Sequence, residues 1–274
     1  MNKCCICLAI LNCEPFIKRV IRNCHIIGEV FDDYNIVFFY DKSTDNTLDL
    51  LKKKQDECDK IVILENKSPL EPWRTRTHKL ALARNELVNY VRTNHSDYDF
   101  FIMMDADDVC ATEPNMNVFK KYITRKDWDL LTFNREDYYD LWALSMPELV
   151  FSCWHFEDPW GSHGWRLLLK DKFQKCKKDE LISVVSAFNG FGIYRTKKFE
   201  GATYSGYPSL ELIPEYMIRN NIGLCGEMKP YHWDPFSECQ DCEHRSFHMY
   251  ARIMNDAQIC ICPEILFPKD PQFS

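Results

Sequence analysis

Residues 100–108 read Phe100-Phe101-Ile102-Met103-Met104-Asp105-Ala106-Asp107-Asp108. An apolar run this short, closed abruptly by acids, predicts a buried strand over Asp99–Met104. In α/β proteins ligands bind at the carboxyl ends of the strands, where these acids fall. A plain Asx turn needs only one acid. Three crowded carboxylates repel one another unless a cation is present. Hard oxygens on a turn suit a divalent cation that also grips a phosphate. The stretch therefore implies a metal-dependent enzyme acting on a phosphorylated donor.

Outward from this strand the first 135 residues alternate two patterns. Strands are predicted at Cys4–Leu11, Asn35–Tyr40, Lys60–Leu64 and Asp129–Phe133. Helices are predicted at Pro15–Ile27, Thr47–Gln55 and Arg76–Arg92, the last with Leu80, Ala83, Leu87 and Val91 on one face. The alternation implies a largely parallel sheet covered by helices. Beyond it, residues 136–185 are rich in Trp, Tyr and charge and give no clear period. Phe188–Arg195 is a glycine-punctuated strand candidate. Glu243–Asn255 is a predicted helix with Phe247, Ala251 and Met254 on one face, followed by a strand at Ile259–Ile265. Residues 268–274 read as a loose tail.

The chain has 274 residues, a hydrophobic fraction of 46% and a net charge of −7. That length gives one large domain, or one domain with an elaborated C-terminal half, and the acidic balance argues against a nucleic-acid partner. No secretion signal opens the sequence, and no run is long enough to span a membrane. The 14 cysteines read as small hydrophobes of a reduced cytoplasmic protein. Cys239-x-x-Cys242 with Cys260-x-Cys262 also has zinc-like spacing, although Cys260 and Cys262 sit in an apolar run.

The turn Asp41-Lys42-Ser43-Thr44-Asp45-Asn46-Thr47 caps a helix and can present carboxylates and amides to a nucleotide. With Asn12-x-Glu14 after the first strand, Ala83-Arg84-Asn85 on a helix and Asp105-x-Asp107-Asp108, the order resembles GT-A fold glycosyltransferases of the family 2 type. Cys242-Glu243-His244, a late Arg252 and Pro263-Glu264 resemble that family's C-terminal motif. Phe188–Arg195 is similar to a stretch of capsule-associated mannosyltransferase-like proteins, and related enzymes occur in large DNA viruses. The resemblance covers residues 3–135 well and 186–266 loosely; ordered motifs together are far more specific than any alone.

The resemblance implies a Rossmann-like three-layer α/β/α sandwich with a mixed, mostly parallel sheet. A single domain would span 1–267, with a nucleotide-sugar half at 1–135 and an acceptor-binding, catalytic half at 136–267. It implies a nucleotide-sugar donor, UDP-linked rather than GDP-linked, and a glycan or glycoprotein acceptor. The cofactor would be Mn²⁺ or Mg²⁺, and the location cytoplasmic, in the host cytoplasm if viral. Asp41 would contact the base, with Asn12, Glu14, Asp45 and Ala106 in the donor site. Asp105 would lie near ribose and metal, and Asp107 would hold the metal across the diphosphate. Arg76 and Arg84 would assist the diphosphate, unless they are a solvated helix face. His248 is a further candidate ligand. Where the family carries an acid as base, this chain has His244. A near-neutral imidazole can serve; Glu243 is the other candidate, and a retaining mechanism without that base is the third.

Trp160 and Trp165 flank Gly161-Ser162-His163-Gly164, either as sugar-stacking acceptor residues or as a packing cluster. Asn189 and Gly190 are acceptor-binding candidates; Gly190 and Gly192 let backbone approach a ligand, or mark a bulge. Two other functions fit less of the pattern. A sugar-1-phosphate nucleotidyltransferase needs a glycine-rich loop after the first strand, yet no glycine precedes Gly28. A catalytically degenerate glycan-binding protein fits His244 but not the intact acids.

Overall fold

The computed structural model describes residues 2–67, 75–150, 161–225 and 240–270. Four strands, β1 (Lys3–Ile10), β2 (Asp33–Tyr40), β3 (Ile61–Glu65) and β4 (Phe100–Met104), alternate with α1 (Ile17–Gly28), α2 (Thr47–Glu57) and α3 (Arg76–Asn94). The chain continues through α4 (Met116–Ile123), β5 (Leu130–Asn134), α5 (Gly161–Lys175), β6 (Ile182–Ser183), β7 (Phe191–Arg195), α6 (Glu215–Cys225), α7 (Glu243–Asn255) and β8 (Ile259–Ile265). All strands join one eight-stranded sheet in the order β3-β2-β1-β4-β7-β5-β8-β6. The pairs among β1 to β4 are parallel, as is β5 with β8. β7 runs antiparallel to both β4 and β5, and β6 antiparallel to β8.

Alternation along each strand splits the core into two apolar layers. Cys5, Cys7, Phe101 and Met103 face the layer that holds α3, α5 and α7. Cys4, Ile6, Ile102 and Met104 face the layer that holds α1, α2 and α4. This is the three-layer α/β/α architecture with a mixed sheet. Cys242 lies in the first layer and Cys260 and Cys262 in the second, all buried. The sheet separates them, so they form no common zinc site; Cys239 lies outside the described residues.

Several local expectations change. α7 begins and ends as predicted, but Met254 is 61% exposed. Instead its first two turns are buried all round, from Glu243 to Met249. The segment expected as a loose tail is docked as far as Asp270: Pro268 O accepts from Thr112 Oγ1 at 2.8 Å, and Arg19 pairs with Asp270 at 2.9 Å.

Candidate functional site

The carboxyl ends of β1, β2 and β4 meet on one edge because these strands are parallel neighbours. The turns after β1 and β2 interlock through side chains. Asn12, at φ 53°, accepts from the Thr44 amide at 2.7 Å and takes Ser43 Oγ on its own amide at 2.9 Å. Glu14 accepts from the amide and side chain of Asn46 at 3.0 and 2.9 Å. Asp45 accepts from the amides of Glu14 (3.1 Å) and Thr47 (3.0 Å), which starts α2. Hydrogen bonds from Asn46 lower the Glu14 carboxyl. At Asp45 desolvation opposes, but the bonds from Thr47 and the Glu14 amide prevail and lower it as well. Asn12, Glu14 and Asp45 therefore brace the rim. Asp41, half-buried, accepts from Asn66 Nδ2 at 2.9 Å. That residue, at the end of β3, is one that reading the motifs missed.

The turn after β4 forms the floor. Asp105 donates its amide to Gly190 O at 2.8 Å. Its carboxylate accepts from Arg84 Nη2 at 3.2 Å and Tyr139 Oη at 3.0 Å. Burial raises its carboxyl against the lowering pull of Arg84. Ala106 is buried in the core. Asp107 caps the following turn, accepting from the Val109 amide at 3.1 Å. Its carboxyl is pushed up to about 7, by desolvation and then by the charge of Asp105. The residue stays open to solvent, so crowding by like charge is the component a cation would reverse.

Arg84 is buried on α3 and clamps Asp105 to Glu243, the first residue of α7. It also lies over the Phe188 ring, 4.7 Å from the centroid. Engaged on both sides, it is not the diphosphate residue the sequence suggested. Arg76, exposed at the start of α3, lines the same cleft and makes no hydrogen bond or ion pair among the described residues. His244 is 1% exposed and stacks on Phe188 at 3.9 Å, and neither ring nitrogen has a hydrogen-bond partner among the described residues. Burial, then the charge of Arg84, drives its pKa well below the usual value, so the ring is neutral. Its Nε2 lies 3.9 Å from Glu243 Oε1. Tyr139, Asp140, Trp142 and Phe188 complete the cleft, whose enclosed part measures about 90 Å³. Tyr139 and Asp140 escaped sequence reading; their signal was a polar-aromatic segment just beyond a strand end.

Four residues take places other than those expected. His248 is wholly buried, bonded to Ser186 Oγ at 2.8 Å and Tyr194 Oη at 3.1 Å, so it is no metal ligand. Trp165 is 3% exposed in the core and offers no face to an acceptor. Asn189 and Gly190 adopt left-handed conformations, φ 56° and 85°, that open β7 beneath the acidic turn. Asn189 exchanges backbone-to-side-chain bonds with Asp140 and ties to Phe133 O. A Cβ on Gly190 would lie 2.4 Å from Val109 Cγ1. Both support the floor from below. Trp160 lies outside the described residues.

Among the described residues no group of three or more His, Cys, Asp or Glu is arranged to hold a metal alone. A cation here would take Asp107, Asp105 and, for its remaining ligands, a diphosphate and water. Mg²⁺-type nucleotide sites are built this way, so the donor set fits. No described helix is long and apolar enough to cross a membrane.

A model of glycosyl transferase family 2 matches residues 5–200. Among curated proteins, an uncharacterized glycosyltransferase of Mycoplasma genitalium, MG060, is 26% identical over 134 residues, 48% of this chain and 39% of that protein. Among solved structures, S. aureus TarS 1–349 superposes with a TM-score of 0.50 at 12% identity, covering 98% of this chain and 60% of that one. Its complex with UDP gives 0.50 at 13% identity, with the same coverage. The chain thus spans under two thirds of each relative's length, and the structural likeness speaks to the fold alone. The family match covers well over half of the sequence: the chain belongs to glycosyl transferase family 2.

Proposed function

We propose that the chain transfers a sugar from a nucleotide-sugar donor, of the UDP type, to a hydroxyl of a glycan or glycoprotein acceptor, with a divalent cation. The observation that carries this reading is the convergence of Asp105, Asp107, Arg84, Glu243 and His244 on one cleft at the strand ends. The UDP complex of TarS supports a uridine donor on this fold.

The enclosed cleft, about 90 Å³, is far below the roughly 300–1,000 Å³ of a complete ligand pocket. It admits the reacting end of a ligand, while the nucleotide lies along the rim. Asp41, oriented by Asn66, reaches the base; Asp105, held by Arg84 and Tyr139, reaches the ribose. Asp107 with Asp105 would hold Mn²⁺ or Mg²⁺, which offsets negative charge on the departing diphosphate. Arg76, without an ion-pair partner among the described residues, adds a positive charge on the same side.

Glu243 is the base in this reading: burial and the Arg84 charge hold His244 well below its usual pKa, so a proton on its ring is disfavoured. Among the described residues neither nitrogen of the neutral His244 ring has a hydrogen-bond partner. Its Nε2 lies 3.9 Å from Glu243 Oε1, so the ring packs beside the carboxylate that takes the acceptor's proton. Arg84 sets the positions of both Glu243 and Asp105. The test is release of UDP from a panel of UDP-sugars with Mn²⁺. The wild-type chain is expected to hydrolyse at least one, and Asp107→Ala to lower that rate about 10²-fold, the scale of losing a charge-stabilising group. Unchanged hydrolysis in the variant would remove Asp107 from the site.

A further inference from the structure

A second cavity, about 490 Å³, opens between the segment following β5 and one side of α5. β5 is parallel to β4 through their common antiparallel neighbour β7, so the cavity lies at the same sheet edge as the acidic turn. The two spaces share a wall. Tyr139 donates its hydroxyl to Asp105 on one side, and the preceding Tyr138 lines the second cavity on the other.

Tyr138 carries two marks of a ligand position. Its backbone sits at φ 30°, a strained conformation for a bulky residue that persists only when its surroundings enforce it. Its side chain is 5% exposed, and its buried hydroxyl has no hydrogen-bond partner among the described residues. Native interiors leave few such groups, and a ligand is one explanation. The Phe173 ring stands 6.2 Å from it, giving an apolar surface of the kind that sugar rings stack on.

The charge on the walls is uneven. Arg166 and Lys170 stand one turn apart on α5. Arg166 Nη1 donates to the carbonyls of Asp137 (2.6 Å) and Tyr138 (3.3 Å), and neither cation meets a carboxylate among the described residues. The acids are already engaged. Glu136 accepts from the Lys269 amide at 3.1 Å. Asp137 accepts from Arg135 Nε at 3.0 Å, with Lys269 Nζ at 3.9 Å. On a chain of net charge −7, two unpaired cations beside an aromatic floor make a selective anion site.

We propose that this cavity is an acceptor subsite for an anionic saccharide. The Tyr138 hydroxyl and Phe173 ring take the sugar, and Arg166 and Lys170 take its carboxylate or phosphate, which the guanidinium fork matches. The term acceptor rests on the transferase reading; the saccharide site itself does not. Calorimetric binding to the full chain tests it with three probes: p-nitrophenyl β-glucuronide, glucose 6-phosphate and the neutral p-nitrophenyl β-glucoside. At least one anionic probe is expected to bind about tenfold more tightly than the neutral one, the tighter naming carboxylate or phosphate. Arg166 and Lys170 are exposed, so the double variant Arg166→Ala/Lys170→Ala folds and is expected to lose that preference. Tyr138→Phe is expected to weaken all three by a common factor. The proposal is overturned if no probe binds, if charge makes no difference, or if the preference survives in the double variant. Failure of the transferase reading is seen separately, as absent UDP-sugar hydrolysis by the wild-type chain; anion preference without hydrolysis leaves the saccharide site standing.

Discussion

The rim and the floor of the cleft are built from the same kinds of residue to opposite effect. At the rim, Asn12, Glu14, Asp45 and Asn46 satisfy one another across two turns. On the floor, Arg84, Glu243 and His244 are nearly as buried as the apolar core, yet among the described residues the imidazole has no hydrogen-bond partner and the ion pair hangs on a single guanidinium. Native proteins pair buried polar groups unless something else is to pair with them. Asn12, Glu14, Asp45 and Asn46 brace the rim's two turns, whereas the floor keeps buried polar atoms without partners among the described residues.

The largest expected effect strikes the floor. Arg84→Ala leaves Glu243 buried without its counter-charge, and breaking a buried pair from one side costs about 3–5 kcal/mol. Urea unfolding measures it; a loss under 1 kcal/mol would mean that the clamp carries no stability. Acid acts on the same helix. His248 is fully buried and its pKa lowered to about 3, chiefly by desolvation. An unfolded histidine protonates near 6.5, so as pH falls the unfolded chain binds this proton first. Stability is therefore lost from about pH 6.5 downward, by up to roughly 1.4 kcal/mol per pH unit. His248→Asn should show a shallower decline between pH 6.5 and 4 than the wild-type chain.

At the rim the effect shrinks. Asp45→Ala removes the acceptor for the Thr47 and Glu14 amides and should cost about 1–2 kcal/mol, the range of a lost helix cap. If it instead abolished UDP-sugar binding at unchanged stability, Asp45 would contact the donor rather than brace the turns. The smallest change in stability, and the sharpest test of the contrast, is His244→Phe. The ring already stacks on Phe188, and an apolar replacement removes two unpaired buried nitrogens. Stability should hold or rise by up to about 1 kcal/mol, while transfer falls because the packing beside Glu243 changes. Equal loss of both would place His244 with the scaffold.

Strands β1 to β4 were legible because each is an apolar run ended by a polar turn. Their ends differ little: Cys4–Leu11 was predicted where Lys3–Ile10 forms. β7 starts later than expected, at Phe191, because Asn189 and Gly190 turn left-handed before it. α5 was hidden because its core anchors, Trp165 and Leu169, are spaced among exposed Arg166, Leu167 and Lys170. β6, only two residues long, exists through its pairing with β8. Within the site, the acids of the β4 turn could be read from crowding alone. The roles of Arg84, Asn189 and Trp165 could not, since spacing does not tell a cleft-facing residue from one turned into the core.

By itself the sequence determined the parallel frame and the place of the acids. Strand period, turn chemistry and like-charge crowding are local, and they act before any distant contact forms. Tertiary structure alone decided that Arg84 joins Asp105 to the head of α7, that His248 belongs to the core, and that Tyr138 and Tyr139 back onto two separate cavities. Those outcomes depend on which elements the sheet brings side by side and on how much water their packing leaves, and both are properties of the assembled layers.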